Sequence, residues 1–362
     1  MNHDHRELLH RVAVTLERLP YTTWNFGDSV AFEGLIAAGG VLGTDRPLAF
    51  ARGMVRGWAT RRHPFVPLDC VAPGLAMVEI YRRTADSLVL EAAVELAAYL
   101  RGRPTLGGVY ATWEHSPLKH PWGPDELPAC GVALLTSPPP GVFVDCLHFD
   151  PPFFAALGRT IGDAALVNDG VEQARGYIRL LQRNDGLFEH FVLDESPTTY
   201  GPGWGRGQGW ALLGLLHVVA ELDPTDDRRA ELVASAVRLV AAMRATQRDD
   251  GNWDAVVGDA ASGDENSTAA FMADGFLWAV ELGAIADVDV AAVRHDARRA
   301  LDAAVERTDE HGHLTSVSAA VNACTTASHY VHVPRGFVVP WGQGPLALAL
   351  ARHLTATASV SA

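Results

Sequence analysis

Apolar residues recur at three- and four-residue spacing in twelve stretches of the chain, a pattern typical of amphipathic helices. The stretches are 8–16, 28–40, 46–61, 74–83, 86–101, 147–158, 163–182, 207–222, 226–247, 266–283, 287–307 and 342–354. The best strand candidates, at 107–110 and 331–333, are short and lie between helices. The pattern therefore predicts an all-α protein with twelve helices.

Every second predicted helix follows an unusual segment, rich in aromatic, acidic and glycine residues. These segments begin at Trp24, Asp69, Asp145, Trp204, Glu265 and Trp341, whereas the alternate helices begin with ordinary polar caps. Three turns, at 184–187, 249–252 and 310–313, resemble one another and indicate a repeat. This alternation predicts an (α/α)6 barrel of six hairpins, in which six inner helices direct their N-termini into one pit.

The signature of the inner helices recurs from residue 24 to residue 341, which predicts a single barrel domain over residues 1–362. The longest stretches without a clear helix are 102–144 and 308–340. Long loops in a compact domain usually form lids or binding walls, so the Pro-rich part of 102–144 is expected to shape the rim. The alternative is a simple linker between two domains.

Composition and charge narrow the class of partner. The chain has 362 residues, 48% of them hydrophobic, and a net charge of −14 without a basic run at either end, which disfavours nucleic acid. Cys70, Cys130, Cys146 and Cys324 lack metal-binding spacing and are interpreted as reduced, packed thiols, so no metal or cofactor is expected. The polar N-terminal stretch lacks the apolar segment of a signal peptide or membrane span, which predicts a cytoplasmic protein.

Asp145 is the strongest catalytic candidate, because apolar residues flank it on both sides at the start of an inner helix. Burial disfavours a carboxylate and raises its pKa, as a general acid near neutral pH requires. The alternative is a helix cap whose carboxylate accepts backbone N–H bonds, and this would lower the pKa. The local sequence leaves both open.

The segment from Trp204 to Trp210 is the most specific pattern in the chain, with Arg206 between two tryptophans and glycines at 205, 207 and 209. Guanidinium groups bind carboxylates through two parallel hydrogen bonds, and indole rings pack against sugar rings. We therefore expect Arg206 to bind a substrate carboxylate. The alternative is a tryptophan-rich packing seam with a structural arginine ion pair.

Five further residues are weaker candidates for the pit. His190 could orient water or bind a sugar hydroxyl. Asp69 and His148 each begin an inner helix, although capping explains Asp69 and a satisfied hydrogen bond explains His148. Trp24 and Trp341 could line the floor of the pit, with core packing the alternative for Trp24.

Taken in order, these motifs resemble the unsaturated rhamnogalacturonyl hydrolases of glycoside hydrolase family 105 and the related unsaturated glucuronyl hydrolases of family 88. The resemblance runs from about residue 24 to residue 350. Its elements are Asp145-x-Leu147, Asp185-Gly186-Leu187-x-x-His190, Trp204-x-Arg206-Gly207-x-Gly209-Trp210, Ser267-Thr268-Ala269 and Gly342-x-Gly344-Pro345. It implies an (α/α)6 barrel that acts on a 4,5-unsaturated uronic acid at a non-reducing end.

The resemblance also implies a mechanism and roles for residues. An aspartate hydrates the vinyl-ether double bond of the sugar, and Asp145 matches that position. His190, Trp204, Arg206 and Trp210 match positions around the unsaturated ring, and Asp69 is a less secure match for a second carboxylate; no metal or cofactor is implied. The chain departs from the family after Asp145, where His148 and Asp150 occur, and in its long Pro-rich segment 115–141, so the leaving group stays open.

Two other classes of function stay open at this point. One is a sugar isomerase or epimerase on the same barrel, which would use pairs of acid/base histidines drawn from His148, His190, His329 and His332. The other is a non-catalytic carbohydrate-binding protein, in which Asp145 is only a cap. An arginine between two tryptophans favours an anionic sugar substrate over the isomerase or epimerase, whereas the sequence leaves the binding protein open.

Overall fold

A computed structural model describes residues 2–21, 24–113, 117–124, 129–196 and 198–360. The helices of this part of the chain are α1 (Asn2–Arg18), α2 (Asp28–Leu42), α3 (Arg46–Ala59), α4 (Gly74–Thr84), α5 (Ser87–Arg101), α6 (Ala129–Thr136), α7 (Cys146–Ile161), α8 (Ala164–Leu181), α9 (Gly205–Glu221), α10 (Arg229–Ala245), α11 (Asn266–Glu281), α12 (Asp287–Glu306), α13 (Ala327–Val331) and α14 (Pro340–Val360). Short 3-10 helices cover Pro67–Val71 and Ala260–Ser262. Four short strands complete the set: β1 (Thr105–Leu106), β2 (Val109–Tyr110), β3 (Gly141–Phe143) and β4 (Phe191–Leu193).

Six helices form a closed inner ring in the order α2, α4, α7, α9, α11 and α14, and α14 closes the ring against α2. The long helices between them in the sequence pack on the outside, with α1 against α2 and α14, α8 against α7 and α9, and α12 against α11. The prediction of an (α/α)6 barrel built from twelve helices in six hairpins is confirmed. All twelve predicted helices are present within a few residues of their expected bounds.

The ring is held together by buried apolar side chains from all six inner helices. At the closing seam between α2 and α14, two glycines let the helices approach closely. A Cβ atom on Gly34 would lie 2.7 Å from the carbonyl oxygen of Gly344, and one on Gly344 would lie 2.6 Å from that of Val30. Side chains larger than hydrogen therefore do not fit between these helices.

The segments expected to be loops contain additional short elements. Helices α6 and α13 lie within 102–144 and 308–340, and β1 and β2 form a hairpin around the strand candidate at 107–110. The strand predicted at 331–333 is wrong, because Val331 is the last residue of α13. The segment 102–144 also reaches the second loop, since Nε1 of Trp122 donates to the carbonyl of Ala320 (2.9 Å).

Cys70, Cys146 and Cys324 are buried free thiols, in agreement with their interpretation as packed residues. The side chain of Cys130 lies outside the described residues. Among the helices that the structure describes, none combines the length and apolar character needed to cross a membrane.

Candidate active site

A short antiparallel sheet places Asp145 beside His190. Strand β3 pairs with β4 so that Phe143 faces Phe191, although the two strands are almost fifty residues apart in the sequence. The backbone N–H of Val144 then donates to the carbonyl of His190 (2.8 Å). As a result Nε2 of His190 lies 3.8 Å from Oδ2 of Asp145, which is longer than a hydrogen bond.

Asp145 occupies the cap position of α7, but its carboxylate accepts no hydrogen bond from the first turn of that helix. The residue is 9% exposed. Burial raises the pKa of its carboxyl to about 6, and the positive charge of Arg206 offsets part of that increase. Of the two interpretations that the sequence left open, this arrangement favours the buried acid over the backbone cap.

His190 is held on the other side by aromatic residues. Its Nδ1 is hydrogen bonded to the hydroxyl of Tyr330 (3.0 Å), and its ring lies 4.5 Å from that of Trp204. Burial, together with the charge of Arg206, lowers the pKa of His190 to about 3, so this imidazole is neutral at physiological pH. It can therefore act as a hydrogen-bonding group beside the acid, without a charge of its own.

The backbone of Gly201 is the second support of His190. Gly201 has φ +73°, and its carbonyl accepts a hydrogen bond from the backbone N–H of His190 (3.1 Å). A Cβ atom at this position would lie 2.4 Å from Cβ of His190 and 2.5 Å from the hydroxyl of Tyr330. Only glycine allows both the left-handed conformation and this close contact.

Arg206, in the first turn of α9, is fully buried and forms an ion pair with Glu265 (3.1 Å). Its guanidinium also donates to the hydroxyl of Ser318 (2.8 Å) and to the carbonyl of Ala319 (3.0 Å). The hydroxyl of Ser318 in turn donates to the carboxylate of Glu265. Both terminal nitrogens, which the sequence assigned to a substrate carboxylate, therefore have acceptors within the protein, while Nε has no hydrogen-bond partner among the described residues. The arrangement corresponds to the structural ion pair given above as the alternative.

Three of the four tryptophans predicted around the pit, Trp204, Trp210 and Trp341, lie at different places. Trp204 is buried, and the guanidinium of Arg206 lies 4.7 Å from its ring. Trp341 is on the other side of the same guanidinium, at 5.8 Å, and donates to the carbonyl of Ser318 (3.0 Å). Trp210 lies one to two turns further along α9, where its ring packs 4.8 Å from that of Phe271. Trp204 and Trp341 therefore both lie close to Arg206, whereas Trp210 packs in the core.

The other three candidates, Asp69, Trp24 and His148, contact other parts of the protein. The carboxylate of Asp69 accepts from the backbone N–H of Val66 (2.8 Å) and from Nε1 of Trp58 (3.0 Å), so it caps the 3-10 helix as the simpler interpretation required. Trp24 packs 5.9 Å from the ring of Trp58, which agrees with core packing. The buried His148 is hydrogen bonded to Glu33 (3.1 Å).

Sequence reasoning missed Tyr330 and Ser318 as parts of this site, and it placed Glu265 at the start of an inner helix without giving it a role. Tyr330 orients His190 from the short helix α13, in a segment where no helix was expected. Glu265 and Ser318 hold Arg206 from two positions that are 53 residues apart in the sequence. The only local sequence signal for Tyr330 was its position between His329 and His332.

The fold and the site together define a class of protein: an (α/α)6 barrel with a buried acid of raised pKa, a neutral histidine and an aromatic wall at one end of the inner helices. The chain belongs to Glycosyl Hydrolase Family 88, whose family model matches residues 6–357. It is a glycoside hydrolase, as the resemblance implied.

Individual relatives agree with this assignment. The chain is 23% identical over 325 residues to the unsaturated rhamnogalacturonyl hydrolase YesR of Bacillus subtilis, covering 89% of this chain and 87% of that protein. A structure described as a possible member of the GH105 family from Salmonella enterica superposes with a TM-score of 0.80 at 18% identity, covering 99% and 95% of the two chains. Unsaturated glucuronyl hydrolase from Bacillus sp. GL1 superposes with a TM-score of 0.73 at 17% identity, covering 98% and 97%.

Proposed function

We propose that this glycoside hydrolase removes a 4,5-unsaturated uronic acid from the non-reducing end of an oligosaccharide or glycoside, with Asp145 as both acid and base. The observation that carries the proposal is the carboxyl of Asp145, which burial holds at a pKa of about 6 beside the neutral ring of His190. The similarity to an unsaturated rhamnogalacturonyl hydrolase supports the substrate class.

The proposed reaction hydrates a vinyl ether. The protonated carboxyl of Asp145 transfers its proton to C4 of the sugar, the double-bond electrons form the new C4–H bond, and positive charge develops at C5 and the ring oxygen. Water then adds to C5 and gives a proton back to the carboxylate of Asp145. The product is a hemiketal that opens and releases the leaving group as an alcohol, so protons and electrons balance and Asp145 is regenerated.

This chemistry explains why one acid is enough. Ordinary glycosidases need two carboxyl groups about 5–9.5 Å apart across the glycosidic bond. Asp69, the second carboxyl candidate, is held by Val66 and Trp58, and its proposed role is to keep that segment in place. Double-bond hydration uses a single group twice, first as the acid and then as the base.

The positive charge of Arg206 is consistent with the proposed reaction. It stabilises the carboxylate that Asp145 becomes after it donates a proton, in a buried site where charges interact more strongly than in water. A substrate carboxylate at Arg206, as the resemblance implies, would have to replace the contacts to Ser318 and Ala319. We propose that the buried Trp204 supplies the apolar face for the sugar ring and that His190 contacts the ring or the attacking water.

We also propose that the enzyme acts in the cytoplasm. The buried free thiols of Cys70, Cys146 and Cys324 support a reducing compartment. Fractionation of the producing cells, with the activity followed in each fraction, tests the location.

The test of the function is the ultraviolet absorbance of the substrate double bond, followed with a panel of lyase-generated unsaturated disaccharides. Hydration removes the double bond, so the absorbance decays with turnover. An epimerase would leave the absorbance unchanged while altering a stereocentre, and a binding protein would leave the sugar intact. Constant absorbance across the panel would overturn the proposal, and the disaccharide with the highest kcat/KM would identify the leaving group.

A further inference from the structure

A second cluster of chemically active side chains lies inside the inner ring, formed by Glu33 of α2, His148 of α7 and His217 of α9. Nε2 of His148 is 3.1 Å from Oε1 of Glu33, and Nε2 of His217 is 3.4 Å from Oε2. One potential metal-binding atom from each residue lies within 4.8 Å of the other two. Helices α2 and α9 are not neighbours in the ring, so the cluster spans the barrel interior.

The carboxylate at the centre of the cluster is buried, and each of its two oxygens faces one imidazole. Ser29 donates to Oε1 (2.6 Å), whereas among the described residues Oε2 has only the longer contact to Nε2 of His217 (3.4 Å). A buried carboxylate costs free energy unless a positive charge compensates it.

We propose that Glu33, His148 and His217 bind a divalent transition-metal ion of the zinc class. Two imidazole nitrogens and one carboxylate are the protein ligands of many open zinc sites, with water in the fourth position. Tetrahedral zinc with bonds of about 2.0–2.1 Å places its ligand atoms about 3.3 Å apart. Nε2 of His148 lies 3.1 Å from Oε1 and Nε2 of His217 lies 3.4 Å from Oε2, so the two contacts use different oxygens of Glu33. The three ligand atoms lie within 4.8 Å of one another, and an ion would draw them together to the tetrahedral spacing.

His217 is the ligand through which the cluster reaches solvent. The side chain of His217 is 23% exposed, whereas that of His148 is fully buried. The ring of Trp278 packs edge-to-face against His217 at 4.5 Å, which fixes the plane of the imidazole. The site therefore opens toward solvent at His217 and is closed at His148.

The role of the ion follows from the positions of its ligands. A metal bound here links α2, α7 and α9, and because the unfolded chain does not hold these three residues together, binding stabilises the folded barrel. Asp145 and His190 take no part in the cluster, so this inference does not depend on the proposed function.

The test uses the full-length protein stripped with a chelator and then titrated with Zn²⁺. We expect one zinc per chain after dialysis against metal-free buffer, measured by elemental analysis, and a Tm that rises with zinc concentration. Co²⁺ in place of zinc should give the visible absorption of a four-coordinate nitrogen and oxygen site. A stripped protein that retains no zinc and keeps the same Tm at all zinc concentrations would overturn the proposal.

Variants identify the ligands. His217→Ala and Glu33→Gln should each weaken zinc binding by at least about 100-fold, because removing even a supporting residue outside the ligand set weakens metal sites by about 10–100-fold. The matched control is His10→Ala, which removes an exposed histidine of α1 and should bind zinc like the parent. Parent-like zinc binding in folded His217→Ala would refute the site. If Glu33→Gln does not fold, the zinc titration of the parent and of His217→Ala still tests the proposed site.

Discussion

Replacement of Asp145 by asparagine should abolish turnover and at the same time make the protein more stable near neutral pH. Burial raises the pKa of this carboxyl from 3.8 to about 6. Each pKa unit corresponds to about 1.4 kcal/mol, so the folded state loses up to about 3 kcal/mol when the pH rises above both values and the carboxyl must ionise in place. Below the lower value both states are protonated, and the cost disappears.

Asparagine has nearly the same shape as aspartate and cannot ionise. For a chain of 362 residues, 3 kcal/mol corresponds to a rise of about 4 °C in Tm. We expect that rise at pH 7–8 and no difference between variant and parent below about pH 4. Turnover should fall by about 10²–10⁴-fold or more, since the variant has lost its general acid.

The assay pairs thermal unfolding across pH with the decay of double-bond absorbance. Asp163→Asn is the matched control, because Asp163 does cap its helix, accepting hydrogen bonds from the backbone N–H groups of Ala165 (2.8 Å) and Leu166 (3.3 Å). Asparagine caps about as well as aspartate, so this control should keep both activity and Tm. Parent-like turnover in Asp145→Asn would refute the catalytic role. An unchanged Tm for that variant at neutral pH, like that expected for the capping control, would restore the interpretation of Asp145 as a cap.

Three further predictions concern the same site, and a fourth concerns the domain organisation. The kcat/KM of the parent should fall as pH rises through about 6, because Asp145 must begin protonated; a flat profile up to pH 8 would contradict this. Tyr330→Phe should lower kcat by about tenfold and the free energy of unfolding by about 1–3 kcal/mol, because Nδ1 of His190 loses its partner; an unchanged kcat would exclude a positioning role. Arg206→Lys should weaken substrate affinity and cost about 1–3 kcal/mol of stability, because lysine keeps the charge opposite Glu265 but cannot make both hydrogen bonds to Ser318 and Ala319; KM and denaturant unfolding measure this, and parent-like values of both would refute it. Limited proteolysis should cut within 115–141 without releasing a stable half, and recovery of a folded fragment ending near residue 140 would refute the single domain.

The sequence was sufficient to predict the barrel because helix periodicity is a local property. Each of the twelve long helices carries its own apolar spacing, and the alternation of helix starts distinguishes inner from outer helices. Helix α13 was missed because five residues are too short for a periodic pattern. The pairing of β3 with β4 was missed because it joins two three-residue segments from distant parts of the chain.

For the candidate site as well, local sequence predicted some features and missed those that depend on distant residues. The apolar flanks of Asp145 indicated burial, and the structure has that burial. The environment of Arg206 depends on Glu265 and Ser318, which local sequence does not connect to it. The expectation of no metal rested on the spacing of ligands along the chain, and the zinc site that we propose at Glu33 would draw its ligands from three separate helices, where spacing carries no signal.

The glycine seam between α2 and α14 has a consequence for how such enzymes diverge. Because a Cβ atom at Gly34 or Gly344 would collide with the facing backbone, a larger residue at either position would push α2 and α14 apart at the seam that closes the ring. We therefore expect a change of leaving group to be reached more easily through the loops at the ends of the inner helices than through this seam. The chain shares its backbone with relatives at TM-scores of 0.73–0.80, although only 17–18% of the residues are identical.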